Sequence, residues 1–458
     1  MSTDLCVPTG SGTVRGFCDD RGVIHWRGVP FGFVPQRYRP AEPLAVAGDL
    51  DATHWGPVSW QAPPYLEKKL TTLLPGVVEA EQCLNLNVWS RSYGDGRPRP
   101  VLVWIHPGRN TCGAGAQPRI DHWTVAAQHE VVVVSGNYRL GPWGWLHLGL
   151  LDDRFTGTTN LGVRDQVLLL RWVRENIGAF GGDPDNVTLF GNSAGSSNVS
   201  TLFGVPEARG LFHRAAVYSG NAEQPTTAAE AVEFAEDFLR SAPSLAGGPA
   251  GLAGLSNVEL RYMHRQLLRK GQVHYRPVID GELIPKAPLD SVREGLIADV
   301  PLLVSVTSNE ARWHDLVSDT EIDRLYAALP ATDPSLTHDE KIDVVSRHVF
   351  IDPARRLLDA AAVTGTCWAQ VFDYHATTSL TAADPRIKGR AMHTCDIESL
   401  FCDLASGTDT DRAVAAVEQG ALVALATDGR PGWGPYDSEK PVARWVGPAP
   451  RTGALPTP

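Results

Sequence analysis

From residue 85 to about 220, short apolar or β-branched runs alternate with helical sequence. The runs are LNLNVW at 84–89, PVLVWI at 100–105, EVVVVSGNY at 130–138 and NVTLFG at 186–191. A strand covered on one face alternates apolar and polar residues, whereas VVVV does not alternate and needs cover on both faces. Between the last two runs lies TNLGVRDQVLLLRWVRENIGAF, 159–180. There Leu161, Val163, Val167 to Leu170, Trp172, Val173 and Ile177 form a wide apolar stripe, and Arg164, Arg171, Arg174 and Glu175 fall largely elsewhere. Strands joined by helices are what parallel pairing requires. The expected fold class is therefore α/β, with a mostly parallel central sheet covered by helices.

A length of 458 residues admits three small domains or one large domain with insertions. No internal repeat and no Pro- or Ser-rich linker divides the chain, which favours a single domain over 1–458. The runs VPLLVSV at 300 and WAQVFDY at 368 extend the same sheet. Helical sequence at about 222–275, broken by SAPSLAGGPAGLAG, and at 320–364 reads as cap-like insertions. The last forty residues, with their Pro and Gly, are expected to wrap the surface or trail off.

With 43% hydrophobic and 20% charged residues, the chain has apolar material for a large core and is not a disordered sequence. A net charge of −11 argues against nucleic acid or an anionic membrane as the main partner, since both are bound through clustered Lys and Arg. The start, MSTDLCVPTGSGTVRG, lacks the basic and apolar pattern of a secretory leader, and no run is long enough to span a bilayer. Cys6, Cys18, Cys83, Cys112, Cys367, Cys395 and Cys402 are odd in number and scattered, with no Cys-x-x-Cys pair and no His cluster. Free thiols in a reducing cytoplasm and no metal site are the expectation. A small-molecule partner and a monomer or weak homodimer complete it. The excess of Arg over Lys hints at a GC-rich bacterial genome.

Chemistry enters at GNSAG, a Gly-x-Ser-x-Gly match centred on Ser193. The bare pattern is weak, but here a strand runs in at Val187 to Phe190 and a helix begins near Ala194, the setting a nucleophile elbow needs. Gly191 and Gly195 allow strand and helix to approach around a strained Ser. A Ser hydroxyl is a poor nucleophile without a base, so an acid and a His are expected later in the chain.

Several blocks resemble the type B carboxylesterase and cholinesterase family of α/β-hydrolases, in that family's order and over most of the chain. They are EQCLNLNVW at 81–89, NYRLGPWGWL at 137–146, NIGAFGGDPDNVTLFGNSAG at 176–195, GLFHRAAVYSG at 210–220, RPVIDGELIP at 276–285 and WGPY at 433–436. The resemblance implies an α/β-hydrolase fold and a serine carboxylesterase acting on a small or medium ester. It places the triad acid at Glu310, in LLVSVTSNE, and the catalytic His at His393, in HTCDIESLF. Ser193 would attack the ester carbonyl, His393 would move the proton, and Glu310 would orient the imidazole, with no metal or organic cofactor.

The implied oxyanion loop is WIHPGRNTCG at 104–113, with donors at the backbone N–H groups of Gly108, Arg109 and Ala194. Pro107 stands at the first glycine of the family's loop, whose N–H is not a principal donor. Arg109 keeps its N–H but adds a side chain. Its guanidinium could fork onto a substrate carboxylate, pair with an acidic neighbour, or fold back into a structural ion pair. Arg109, Asn110 and Asn192 are the pocket candidates. Asn192 replaces the family's usual Glu, which withdraws a charge near His393. Ser59 stands where the family has the partner of Cys83, so that disulfide is absent. The interior of the 60–82 loop, PPYLEKKLTTLLPGVVE, has no Trp for a choline cation. Cys112 and Cys395 read as buried bystanders near the site. Two further readings use the same residues: a non-catalytic binding protein of the family, and acyl transfer or lactone formation with an alcohol in place of water.

Overall fold

The computed structural model describes residues 5–9, 12–44, 48–62, 73–117, 120, 122–241, 248–269, 275–316, 320–379, 381–401 and 407–456. Cys402, the 63–72 part of the long loop and the 242–247 part of the small-residue loop lie outside the described residues. Among the described residues eleven strands form one sheet. In chain order they are β1 (Phe17–Cys18), β2 (Ile24–Pro30), β3 (Asn85–Ser90), β4 (Arg99–Ile105), β5 (Val132–Gly136), β6 (Gly182–Asn192), β7 (Arg214–Tyr218), β8 (Leu302–Thr307), β9 (Cys367–Phe372), β10 (Val442–Val446) and β11 (Arg451–Ala454). Their order across the sheet is β11-β10-β9-β8-β7-β6-β4-β5-β3-β2-β1. Every neighbouring pair from β10 to β5 is parallel, and only the two margins pair antiparallel.

The helices that matter below are α1 (Leu161–Asn176), α2 (Ala194–Leu202), α3 (Ala228–Arg240), α4 (Asn257–Arg269), α5 (Asp352–Ala362), α6 (Cys395–Phe401) and α7 (Asp409–Asp428). The four apolar runs became β3 to β6, and VPLLVSV and WAQVFDY became β8 and β9. On β4, Val101, Val103 and Ile105 enter the core that contains Val163 and Val167 of α1. Leu102 and Trp104 enter the opposite core with Phe401, Leu422 and Leu425. This two-sided burial is what the unbroken apolar runs demanded. Arg139 and Asp165 form a buried ion pair at 2.6 Å that locks the end of the NYRLG block to α1.

The end of the chain departs from the expectation. The last forty residues contain the end of α7 and two sheet strands, β10 parallel to β9 and β11 closing the edge. These margin strands are partly exposed, so VARWV and RTGA mix charged and apolar residues and show no apolar run.

The connection from β4 leads to β5 on one side, while β6 lies on the other side of β4 and leads on to β7. The loops leaving β4 and β6 therefore diverge, and a crevice opens at the carboxyl ends of these two strands.

Candidate active site

Ser193 leaves β6 at that crevice with φ 55° and ψ −128°, a backbone region strained for any side chain. The surroundings hold it there. A Cβ on Gly195 would stand 2.2 Å from the Ile105 carbonyl oxygen, and one on Gly191 would stand 2.7 Å from the Gly195 carbonyl carbon. The Ser193 N–H donates to the Tyr218 carbonyl of β7 at 2.9 Å. The hydroxyl is thus aimed by sterics and a sheet hydrogen bond before any base is considered.

His393 and Glu310 arrive from two further strand ends. Glu310 opens the turn after β8, and His393 precedes α6 in the long connection after β9. His393 Nε2 lies 2.8 Å from Ser193 Oγ, and His393 Nδ1 lies 2.7 Å from Glu310 Oε2. With a proton on Nδ1 held toward Glu310, Nε2 is left free to accept a proton from Ser193 Oγ. The other oxygen of Glu310 accepts from Ser219 Oγ at 2.6 Å and from the Thr307 N–H at 2.7 Å. Glu310 is completely buried, so these bonds fix the carboxylate and, through it, the imidazole. Sequence reasoning did not find Ser219, which lies in the quoted block AVYSG; only sheet register brings the end of β7 against the turn after β8.

The loop after β4 presents its backbone to the same crevice. Gly108 has φ 121°, and a Cβ there would meet the Cys112 carbonyl oxygen at 2.0 Å, so only Gly fits. Its carbonyl accepts the N–H groups of Thr111 and Cys112, which curls the loop. Among the described residues no protein acceptor takes the N–H of Gly108 or Ala194. Arg109 and Asn110 both sit at φ 57°, in the small left-handed region open to L-residues. His106 stacks on Tyr138 at 4.3 Å, and the Tyr138 hydroxyl donates to the His106 carbonyl. Burial pushes the His106 imidazole down to about 4, so it is a neutral prop.

Two pocket candidates do not line the pocket. Asn110 is fully buried, and its amide spends both ends on structure: Nδ2 donates to the Tyr275 carbonyl at 3.0 Å and Oδ1 accepts from Asn198 at 2.9 Å. Asn192 is also fully buried, with Nδ2 3.4 Å from Asp396 Oδ1. It belongs to the floor beneath Ser193. Burial first, then the charges of Glu310 and Glu418, hold the Asp396 carboxyl well above the usual range. Burial pushes Glu418 up to about 8 against the hydrogen bond from Gln370. An uncharged Asn192 suits this crowded acid floor, because a further carboxylate there would add like-charge repulsion. Cys112 and Cys395 are buried, and burial raises the Cys395 thiol well above its ordinary value, as befits bystanders.

The third candidate, Arg109, does reach the crevice. It is exposed, and its guanidinium carbon lies 5.7 Å from the ring centroid of Trp313. Trp313 lies 5.9 Å from the His393 ring, and Phe350 packs on the imidazole at 4.8 Å. Neighbouring His314 is buried, and desolvation first, then the charges of Arg109 and His393, push it down to about 2. Among the described residues no group of three or more His, Cys, Asp or Glu side chains is placed to hold a metal, and no helix is long and apolar enough to cross a membrane.

A Ser on a strained strand-to-helix turn, at the carboxyl end of a parallel sheet, with His and an acid supplied by later strand ends, defines an α/β-hydrolase. The chain belongs to the carboxylesterase family, whose model matches residues 3–321. It is 32% identical to the para-nitrobenzyl esterase of Bacillus subtilis (strain 168), over 95% of this chain and 94% of that one. It is 34% identical to the phenmedipham hydrolase of Pseudarthrobacter oxydans, over 68% of this chain and 63% of the relative. A solved structure of PNB esterase superposes with a TM-score of 0.86 at 31% identity, covering 98% of this chain and 97% of the other. A carboxylesterase of Geobacillus stearothermophilus superposes with a TM-score of 0.83, also at 31% identity, covering 98% and 97%.

Proposed function

We propose that this carboxylic ester hydrolase works through Ser193 as nucleophile, His393 as general base and then general acid, and Glu310 as the orienting carboxylate. The observation that carries the assignment is the continuous relay from Ser193 Oγ through His393 to Glu310, at 2.8 and 2.7 Å. Ser193 attacks the ester carbonyl as its proton passes to His393 Nε2. The tetrahedral oxyanion is met by the N–H groups of Gly108, Arg109 and Ala194. His393 then protonates the leaving alkoxide, and a water activated by the same imidazole releases the acid. The substrate is a small or medium carboxylic ester, and the protein acts as a monomer or weak homodimer without nucleic acid or membrane partners. We read the chain, 1–458, as one α/β-hydrolase domain, with the helical segments at about 222–275 and 320–364 as cap insertions. The thiols of Cys6, Cys18, Cys83, Cys367 and Cys395, which form no disulfide among the described residues, support residence in the cytoplasm.

The test is labelling by a fluorophosphonate probe. Stoichiometric labelling of the native protein, abolished in Ser193→Ala, is expected. Labelling that survives the substitution would reject Ser193, and a folded protein that does not label would reject the mechanism.

A further inference from the structure

The His393 imidazole is held at both ring nitrogens and also by two aromatic rings. Nδ1 meets Glu310 at 2.7 Å and Nε2 meets Ser193 at 2.8 Å. Bonds of this kind lie near the plane of the ring, so they aim the nitrogens but do little to stop the ring tilting about the line between them. Contact with the ring itself supplies that restraint. Phe350 packs on the imidazole with centroids 4.8 Å apart and planes inclined at 46°, and Trp313 does so at 5.9 Å and 31°.

Trp313 belongs to the turn Glu310–Leu316, but Phe350 comes from the 320–364 segment, and its placement has a cause in the sequence. The helix His338–Ser346 runs into α5 through a π-turn, Arg347–Ile351. Pro353 has no N–H to donate to the Val349 carbonyl, and in an unbroken α-helix its ring would press on that carbonyl. The Asp352 N–H reaches back five residues to the Arg347 carbonyl instead, which adds one residue to the turn. In an α-helix Val349 would follow Ile342 and Val345 onto the buried face. Here Val349 is 38% exposed and Ile351 is 5% exposed, so the face has moved on by a residue. Phe350 stands at its margin, partly buried, against His393. The segment is tied to the turn that carries Glu310. The Ala311 N–H donates to Ser346 Oγ at 2.9 Å, and Ile342 and Val345 share one buried cluster with Ala311.

We propose that Phe350 is a positioning residue for His393: its ring, presented by the π-turn, limits the tilt of the imidazole and keeps Nε2 in line between Ser193 and the leaving alkoxide. This rests on the esterase reading above and extends it to a residue of the 320–364 insertion. Delivery of a proton matters most for a basic alkoxide and least for a stable phenolate. Benzyl acetate and p-nitrophenyl acetate share an acyl group and both carry an aromatic ring in the alcohol part, yet they depend on His393 to different degrees.

Phe350→Ala is expected to lower kcat for both esters about tenfold, because water attack on the shared acetyl-enzyme uses the same imidazole. It should also lower the ratio of kcat/KM for benzyl acetate over p-nitrophenyl acetate about fivefold. Phe350→Leu keeps apolar bulk and carries the test should the Ala variant not fold; it should shift the ratio in the same direction by less. Phe350→Tyr keeps the ring and should restore the ratio, and a Tyr variant as impaired as Ala would overturn the proposal. A ratio left unchanged by the Ala and Leu variants would also overturn it with the esterase intact, whether the loss is carried by KM, as for a wall of the crevice, or by Tm, as for a scaffold residue. A native protein that turns over neither ester and takes no fluorophosphonate label would overturn both readings.

Discussion

Two loops leave adjacent strands of the same sheet and meet at one crevice, yet they obey different constraints. The turn around Ser193 is set by exclusion: Gly191 and Gly195 have no room for a methyl group, and Ser193 takes its strained conformation because nothing else fits. The loop after β4 is equally excluded at Gly108, but one residue later it accepts a full Arg side chain at φ 57°. A position can require an unusual φ without requiring the absence of a side chain. Where space closes, a side chain is excluded; where it opens, one can be carried even in a left-handed conformation.

The largest effect that would break this comparison comes from Gly195→Ala. The new methyl would sit 2.2 Å from the Ile105 carbonyl, so Ser193 and the start of α2 must shift. We expect ester turnover to fall by more than about 10³-fold, and stability by roughly 1–3 kcal/mol as for overpacking. Turnover close to that of the parent, together with an unchanged Tm, would contradict the exclusion argument.

The floor beneath the nucleophile gives a second, intermediate probe through Glu418. Its folded value of about 8 lies above the ordinary 4.5 that the carboxyl regains on unfolding. Between those values the folded state keeps a proton that the unfolded state has lost, so stability falls as pH rises, by up to about 1.4 kcal/mol per pH unit. Glu418→Gln removes this contribution. Its Tm should gain on the parent as pH goes from about 5 to 8 and stay level above that; a gap independent of pH would show that Glu418 is not held protonated.

The smallest effect is expected from Arg109→Gly. Relief of a left-handed residue and loss of unfolded-state restriction work in opposite directions, so Tm should move by the equivalent of less than about 1 kcal/mol. A loss of several kcal/mol would mean that the side chain is part of the scaffold, and the contrast between the two loops would fail.

The central strands were legible because two-sided burial leaves unbroken apolar runs, as in VVVV of β5, and α1 was legible because one face must stay apolar. Ser193 announced itself through flanking glycines between a strand and a helix. Glu310 and His393 carried no such local mark, and came within view only through family resemblance. Asn110 and Asn192 misled for a physical reason: a short amide beside a catalytic residue looks available until both of its ends are seen to be bonded or buried. Ser219 could not be reached from sequence, since it matters through a contact with Glu310 that strand register sets. The margin strands β10 and β11 were missed because edges need not be apolar.

The Asn110 to Tyr275 bond also has a bearing on the order of assembly. Strands β4 and β6 and the turn at Ser193 lie within the first 200 residues, but Tyr275, which Asn110 bonds, and His393, which meets Ser193, are made only later. In the proposed mechanism the Ser193 hydroxyl therefore stays without its base until His393 has been made. On that mechanism the chain is complete in all but its last sixty-odd residues before the nucleophile can meet its base.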